Sequence, residues 1–324
     1  AYKKALFLKP DYAAAYNNVG NSLKEQGKKI DAVTAYKNAL NIKPNYDEAK
    51  TNLAILLFEN GEYGEATKLF TKDISINHQN FLLKCFYEQG EKDKFSKQLD
   101  YLIERGESNA VIGSLIARSA ASFGLKQDNP FCNAPLNYVL KTDLNKEYDF
   151  KKIFVENAAD VLRNDNVKHK VQGHLTNGIQ TSGNIFTQVG TISDQWEDII
   201  HSELAKYRDH FGKSEEGFIK NWPLNYKLYG WLVSMSSGGE LAAHIHDNGW
   251  ITGSIYINVP PKSTNDSGNL VVATDDVKAE TDNRKSIDVV TGSLCLFPSS
   301  LLHHTIPFES DEDRIVLAFD VIPE

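Results

Sequence analysis

Two different rhythms of apolar and polar positions divide this chain. Up to about residue 126 the apolar residues recur at three- and four-residue spacing, the period of a helix with one buried face. After Trp222 they gather in short runs of β-branched and aromatic residues, broken by Gly, Pro, Asn and Asp. The first rhythm predicts helices over Ala13 to Gln26, stopped by Gly27, and Ala32 to Ile42, stopped before Pro44. Further helices are expected over Leu53 to Asn60 and Tyr63 to Ile74, with Gly90 and Gly106 as later breaks. From Asn129 the periodicity gives way to Asn, Pro and aromatic residues, which marks a domain junction. Two longer helices, Phe150 to Asn164 and Ile192 to Phe211, flank a turn-rich stretch, His174 to Phe186, expected as a loop or strand edge. The second rhythm predicts strands at Tyr229 to Met235, Ile251 to Val259, Gly268 to Ala273, Ser293 to Phe297 and Arg314 to Val321. Several short strands in about a hundred residues suggest a sandwich or jelly-roll barrel.

The helical part repeats. Lys9-Pro10-Asp11-Tyr12 returns as Lys43-Pro44-Asn45-Tyr46, a period of 34 residues. Tyr2-Lys3-Lys4-Ala5-Leu6 returns as Tyr36 to Leu40, and more faintly as Phe70 to Ile74. Gly27 returns as Gly61. This period, with Ala39 and Pro44 at their places, resembles the tetratricopeptide repeat. Residues 80 to 126 read as degenerate helical pairs capping the array. Such an array presents a concave surface to a peptide or partner protein, or else covers a face of a neighbouring domain or mediates dimerisation. The chain opens inside a repeat and without Met, as expected of a piece of a longer protein. The expected organisation is α+β: helical repeats over residues 1–128, then a jelly-roll domain with flanking helices over residues 129–324.

Composition narrows the partners. A net charge of −8 and no run of Lys and Arg argue against nucleic acid, whose phosphates demand a basic field. No stretch is apolar for long enough to span a membrane, and no signal segment opens the chain. Cys85, Cys132 and Cys295 lie far apart without CxxC spacing, so buried reduced thiols in a cytoplasmic protein are expected rather than a disulfide framework or thiolate zinc site.

The chemistry concentrates in Gly238 to Gly249, which contains His244-Ile-His246-Asp247. Residues two apart on a strand share a side, so His244 and His246 can converge on one metal ion. Neutral imidazole is a common ligand for iron, zinc and copper. Leu301-Leu302-His303-His304 supplies a distal third group, in a loop expected to follow the strand Ser293 to Phe297.

The run Trp231 to Phe319 resembles the 2-oxoglutarate- and Fe(II)-dependent oxygenases of the prolyl-hydroxylase type, in their bacterial and phage branch. The resemblance rests on His244-Ile-His246 leading into Thr252-Gly253-Ser-Ile-Tyr256, on Ser267-Gly268-Asn-Leu, on Gly292 to His303 with Phe297-Pro298-Ser-Ser, and on Arg314-Ile-Val-Leu-Ala-Phe319. It covers about ninety residues in five ordered motifs. It implies His244 and His303 as metal ligands, Arg314 as the partner of the distal carboxylate of 2-oxoglutarate, and Tyr256 facing the same cosubstrate. Arg suits that role because its planar fork binds a carboxylate bidentately and stays charged. It also implies dioxygen as co-reactant and hydroxylation as the reaction, with no catalytic side chain separate from the metal ligands. The best-known members carry His-x-Asp, whereas here the second position is His246 and the carboxylate follows at Asp247. Strand alternation favours His246 as third ligand, and Asp247 is the alternative if the strand ends or bulges there.

Two other functions stay open on the residues alone: a non-catalytic interaction protein whose β domain has lost iron, and a cupin-like metal enzyme using His244, His246 and His303 without 2-oxoglutarate. Trp231 and Trp250 flank the site as pocket walls or core. Asp311-Glu312-Asp313 reads as a solvated loop and Arg284 as a surface residue. His78, His169, His174, His201 and His210 are expected outside any metal site.

Overall fold

The computed structural model describes residues 11–70, 75–170, 172–276 and 283–324. The repeat segments Tyr2 to Leu6 and Lys9-Pro10, and the end of the faint third copy at Thr71 to Ile74, lie outside the described residues. The chain forms two compact units, Ala1–Gly106 and Glu107–Glu324.

The first unit is helical: α1 (Ala13–Glu25), α2 (Lys29–Ile42), α3 (Asp47–Glu59), α4 (Tyr63–Lys68), α5 (Ile76–Glu88) and α6 (Lys92–Glu104). The repeated glycines explain its regularity. Gly27 and Gly61 both adopt left-handed backbone angles, φ 72° and 78°, which a residue with a side chain adopts at a cost. Each lets the following N–H turn back, Lys28 onto Leu23 at 2.9 Å and Glu62 onto Leu57 at 2.8 Å. The same closure one period later gives consecutive helix pairs the same geometry. Ala32, Tyr36, Leu53, Leu56, Leu57, Ala66 and Cys85 form the core between them. The Tyr36 ring lies where a side chain on Gly20 would sit, and its hydroxyl donates to Asn21 at 2.8 Å.

The second unit begins earlier than the composition shift suggests. Helix α7 (Ala110–Phe123) belongs to it, because Phe131 packs onto Gly113 and the Asn129 side chain donates to the Gly113 carbonyl at 2.8 Å. Two helices come next, α8 (Asn157–Arg163), continuing a wider helical segment Lys151–Glu156, and α9 (Thr191–His210). The strands are β1 (Leu140–Asp143), β2 (His169–Lys170), β3 (Leu175–Thr181), β4 (Tyr226–His244), β5 (Ile251–Asn258), β6 (Leu270–Ala273), β7 (Arg284–Ile287), β8 (Ser293–Pro298), β9 (Leu302–Thr305) and β10 (Arg314–Pro323). Their order is β1-β8-β5-β10-β4-β9-β6-β7, all antiparallel, with β3 also on β4 and β2 on β3.

Strand β4 is the hinge of this curled sheet. Its first half pairs with β10 and its last residues with β9. The partner changes around Gly238-Gly239, where Gly238 takes φ 72° and a side chain on Gly239 would strike Met235 and the Ser236 carbonyl. The result is the jelly-roll arrangement expected from the strand pattern. Of the two alternatives for the turn-rich stretch after His174, the strand edge is the one formed: it contains β3, with five residues in register on β4. One segment differs from expectation. His303 sits not in a loop but in β9, a four-residue strand that its polar sequence conceals.

Alternation by two sorts the central strands. Leu228, Leu232, Ile251, Ile255, Leu317 and Phe319 face Trp196, Ile200, Leu204 and Tyr207 of the helical layer. Trp231, Val233, Tyr256, Arg314 and Val316, on the opposite parity, line a cavity inside the curl. On the helix side the Phe319 ring covers Gly253 so closely that an added Cβ would lie 2.1 Å from its Cζ. Gly253→Val is therefore expected to cost about 1–3 kcal/mol by overpacking, read as a lower urea midpoint. An unchanged midpoint would contradict this packing.

Candidate metal centre

His244 is the last residue of β4 and lies opposite His303 of β9 in the ladder. The strand ends there, so His246 is not placed by strand alternation. It sits in the connection to β5, where the Gly249 N–H closes onto the His246 carbonyl at 3.0 Å and the Trp250 N–H onto Val321 at 2.7 Å. This connection folds His246 back onto the two strand histidines. The ligand atoms of His244, His246 and His303 all lie within 4.8 Å of one another, the one such metal-ligating group among the described residues. Asp247 is exposed in the turn and stands outside the group.

Each imidazole is oriented through one nitrogen. His244 Nδ1 faces the Ala242 carbonyl at 2.8 Å, His303 Nδ1 the Leu301 carbonyl at 3.2 Å, and His246 Nδ1 the Asp320 carboxylate at 2.6 Å. An acceptor at Nδ1 assigns the proton there and leaves Nε2 with a lone pair. The Nε2 atoms of His244 and His246 are 3.1 Å apart. Two nitrogens bound to one ion at right angles, with bonds of about 2.1 Å, are separated by about 3 Å. The neutral form required of a ligand is also favoured. His303 is buried, and burial with the neighbouring His244 holds its pKa well below the usual histidine value. His244 keeps part of its ring accessible, yet the protein around it and then His246 push its pKa down to about 3.

Arg314 opens β10 on the cavity side, 2% exposed. Its Nη2 donates to the Gly268 carbonyl at 3.3 Å and its guanidinium lies 5.0 Å over the Tyr256 ring. Its Nε is buried without a hydrogen-bond partner among the described residues. An unsatisfied buried donor on a cation is costly, and an acceptor entering the cavity would relieve it. Burial lowers the pKa of Arg314 and raises that of Tyr256, while each acts on the other in the opposite sense.

The remaining sequence candidates separate cleanly. Trp231 lines the cavity with its ring 5.4 Å from His246. Trp250 belongs to the core, its indole donating to the Phe218 carbonyl at 2.8 Å beside Phe131. The exposed His174 ring stacks parallel on His244 at 5.5 Å, so it borders the centre without joining the ligand group. Asp311-Glu312-Asp313 is exposed, as a solvated loop should be. The sequence reading missed Asp320, Thr252 and Ser299. Thr252 donates to Asp320 Oδ1 at 2.9 Å and its Oγ1 lies 2.8 Å from Ser299 Oγ. Parity offered the signal: Asp320 lies six residues after Arg314 on the same face of an otherwise apolar strand.

Residues 229–320 match the family model described as "Putative 2OG-Fe(II) oxygenase", and residues 20–61 match a TPR repeat model. No curated protein matches the chain. Among solved structures, similarity is found to a prolyl-4-hydroxylase from Pseudomonas putida at 14% identity, over 57% of this chain and 92% of that one, TM-score 0.41. A prolyl hydroxylase from Trichoplax adhaerens, in complex with a hypoxia inducible factor peptide fragment, matches at 10% identity over 68% and 92%, TM-score 0.42. HygX from Streptomyces hygroscopicus, with nickel, 2-oxoglutarate and hygromycin B bound, matches at 10% over 57% and 83%, TM-score 0.38. Residues 229–320 of this chain are a 2OG-Fe(II) oxygenase domain, and a tetratricopeptide repeat precedes it at residues 20–61.

Proposed function

We propose that this chain is an Fe(II)- and 2-oxoglutarate-dependent hydroxylase acting on a protein or peptide side chain, with His244, His246 and His303 as the metal ligands. The observation that carries the reading is the convergence of three imidazoles whose Nδ1 atoms all face acceptors and whose ligand atoms lie within 4.8 Å of one another. When bound, iron and 2-oxoglutarate supply dioxygen activation coupled to decarboxylation of the cosubstrate to succinate. The protein's part is to bind, orient and exclude water. Arg314 holds the distal carboxylate of 2-oxoglutarate, and its unpartnered Nε supports this role. Tyr256 packs under the guanidinium and fixes its plane. Val233, Leu270 and Val316 form dry walls that strengthen the charge pairing. Trp231 and His174 at the edge of the centre are placed to meet the substrate. The repeats bind the protein that carries the target side chain, in the cytoplasm, where the buried free thiols of Cys85, Cys132 and Cys295 stay reduced.

Anaerobic titration with Fe(II) and 2-oxoglutarate is expected to produce a weak visible charge-transfer band, absent in His303→Ala. In Arg314→Ala the band requires at least tenfold more 2-oxoglutarate, because a charge-assisted pair is lost. No band and no succinate release in the wild type would favour a non-catalytic domain. Metal binding that is indifferent to Arg314 would favour a cupin-like enzyme independent of 2-oxoglutarate.

The third ligand is tested separately. His246→Ala is expected to lose Fe(II) affinity by at least tenfold, whereas Asp247→Asn stays near wild type. The reverse pattern, measured by Fe(II) competition against a chromogenic chelator, would transfer the ligand role to Asp247.

A further inference from the structure

We propose that Asp320 is a positioning residue of the metal centre: its carboxylate fixes His246 as an Nε2 ligand and supplies the negative charge that three imidazoles lack. The inference deepens the metal-centre reading above and rests on it.

Asp320 is 6% exposed, on the cavity face of β10. A carboxylate taken out of water needs a compensating partner. Its Oδ1 lies 2.6 Å from His246 Nδ1, the nitrogen that carries the proton when Nε2 is the ligand atom. The same oxygen accepts from Thr252 at 2.9 Å, and Ser299 lies behind Thr252. Neither hydroxyl carries charge, so nothing on that side neutralises the carboxylate. The connection that carries His246 is moulded to this acceptor. A Cβ on Gly249 would lie 3.2 Å from Asp320 Oδ1 and 2.5 Å from Ser299 Oγ, so a side chain there would displace Ser299.

The contrast with the other two histidines gives Asp320 its meaning. His244 and His303 direct Nδ1 at backbone carbonyls, which orient a ring but bring no net charge. His246 has no strand to place it and instead has a carboxylate. Three neutral nitrogens leave a divalent ion with both charges uncompensated in a walled cavity. A carboxylate one ring away offsets part of that charge and makes His246 a stronger donor. Ladder register makes the arrangement rigid, since Asp320 lies opposite Thr252 across the β10–β5 pair.

The test uses the whole chain stripped with a chelator, then titrated with Co(II) by calorimetry and visible absorption. Asp320→Asn keeps an acceptor for Nδ1–H but loses the charge, and is expected to weaken Co(II) binding about tenfold. Asp320→Ala loses both and is expected to weaken it about a hundredfold, with a shifted Co(II) ligand-field spectrum and partial recovery in added formate. His303→Ala is the reference for a lost ligand. If Asp320→Ala does not fold, the affinity and spectrum of Asp320→Asn decide. Wild-type affinity within twofold and an unshifted spectrum in the Asp320 variants, while His303→Ala fails to bind, would overturn the role of Asp320 alone. A wild-type chain that binds no Co(II) would overturn the metal centre and this inference together.

Discussion

The structure depends on the two-residue alternation of β4, β5 and β10. It sends Leu232, Ile255, Leu317 and Phe319 into the helical layer and Val233, Tyr256, Arg314 and Asp320 to the cavity side. A sheet with one apolar face needs a single layer to cover it. This sheet has apolar residues on both, so it must curl around its second face as well as accept helices on its first. The curl is possible because β4 changes partner at Gly238-Gly239, and the same change brings its last residue, His244, opposite His303. Architecture and chemistry are thus one event: the bend that closes the barrel also assembles two of the three imidazoles.

The cavity divides its polar work between two ends. At one, three imidazoles converge, and burial with the neighbouring rings favours the neutral form of His303 and of His244. At the other, Arg314 carries a permanent charge with one donor unspent. Val233, Leu270 and Val316 line the same cavity. A ligand that bridges the two ends must be anionic at the Arg314 end and able to share a metal at the other, which is the shape of a short dicarboxylate with an adjacent oxo group. Dry walls make both contacts stronger than they would be in water.

Much of this was legible in the linear pattern. The 34-residue period located the helix pairs, and their stops at Gly27 and Gly61 follow from backbone angles that glycine accepts readily. The β-branched runs located the five central strands, because burial on a pleated surface selects those residues. The short strands β1, β2, β7 and β9 were not legible, since two- to four-residue polar runs such as Arg284–Ile287 become strands only when a neighbour offers its ladder. The start of the second unit was hidden for a similar reason. Helix α7 has ordinary helical periodicity, and tertiary contacts such as the seating of Phe131 on Gly113 and the Asn129 bond to the Gly113 carbonyl tie it to the β domain.

By itself the sequence determined which residues are suited to bind a metal and an acid: His244, His246, His303 and Arg314 are readable as types at characteristic spacing. Tertiary structure decided which of their atoms meet. His246 was expected through strand alternation, yet β4 ends at His244, and it is the closure at Gly249 that folds His246 inward while Asp247 turns to solvent. Asp320 lies seventy-four residues from His246 along the chain and 2.6 Å from it in space. Local pattern records the face of an element on which a side chain lies. Which element stands opposite is set by the pairing order of the sheet, and that order depends on the whole chain packing at once.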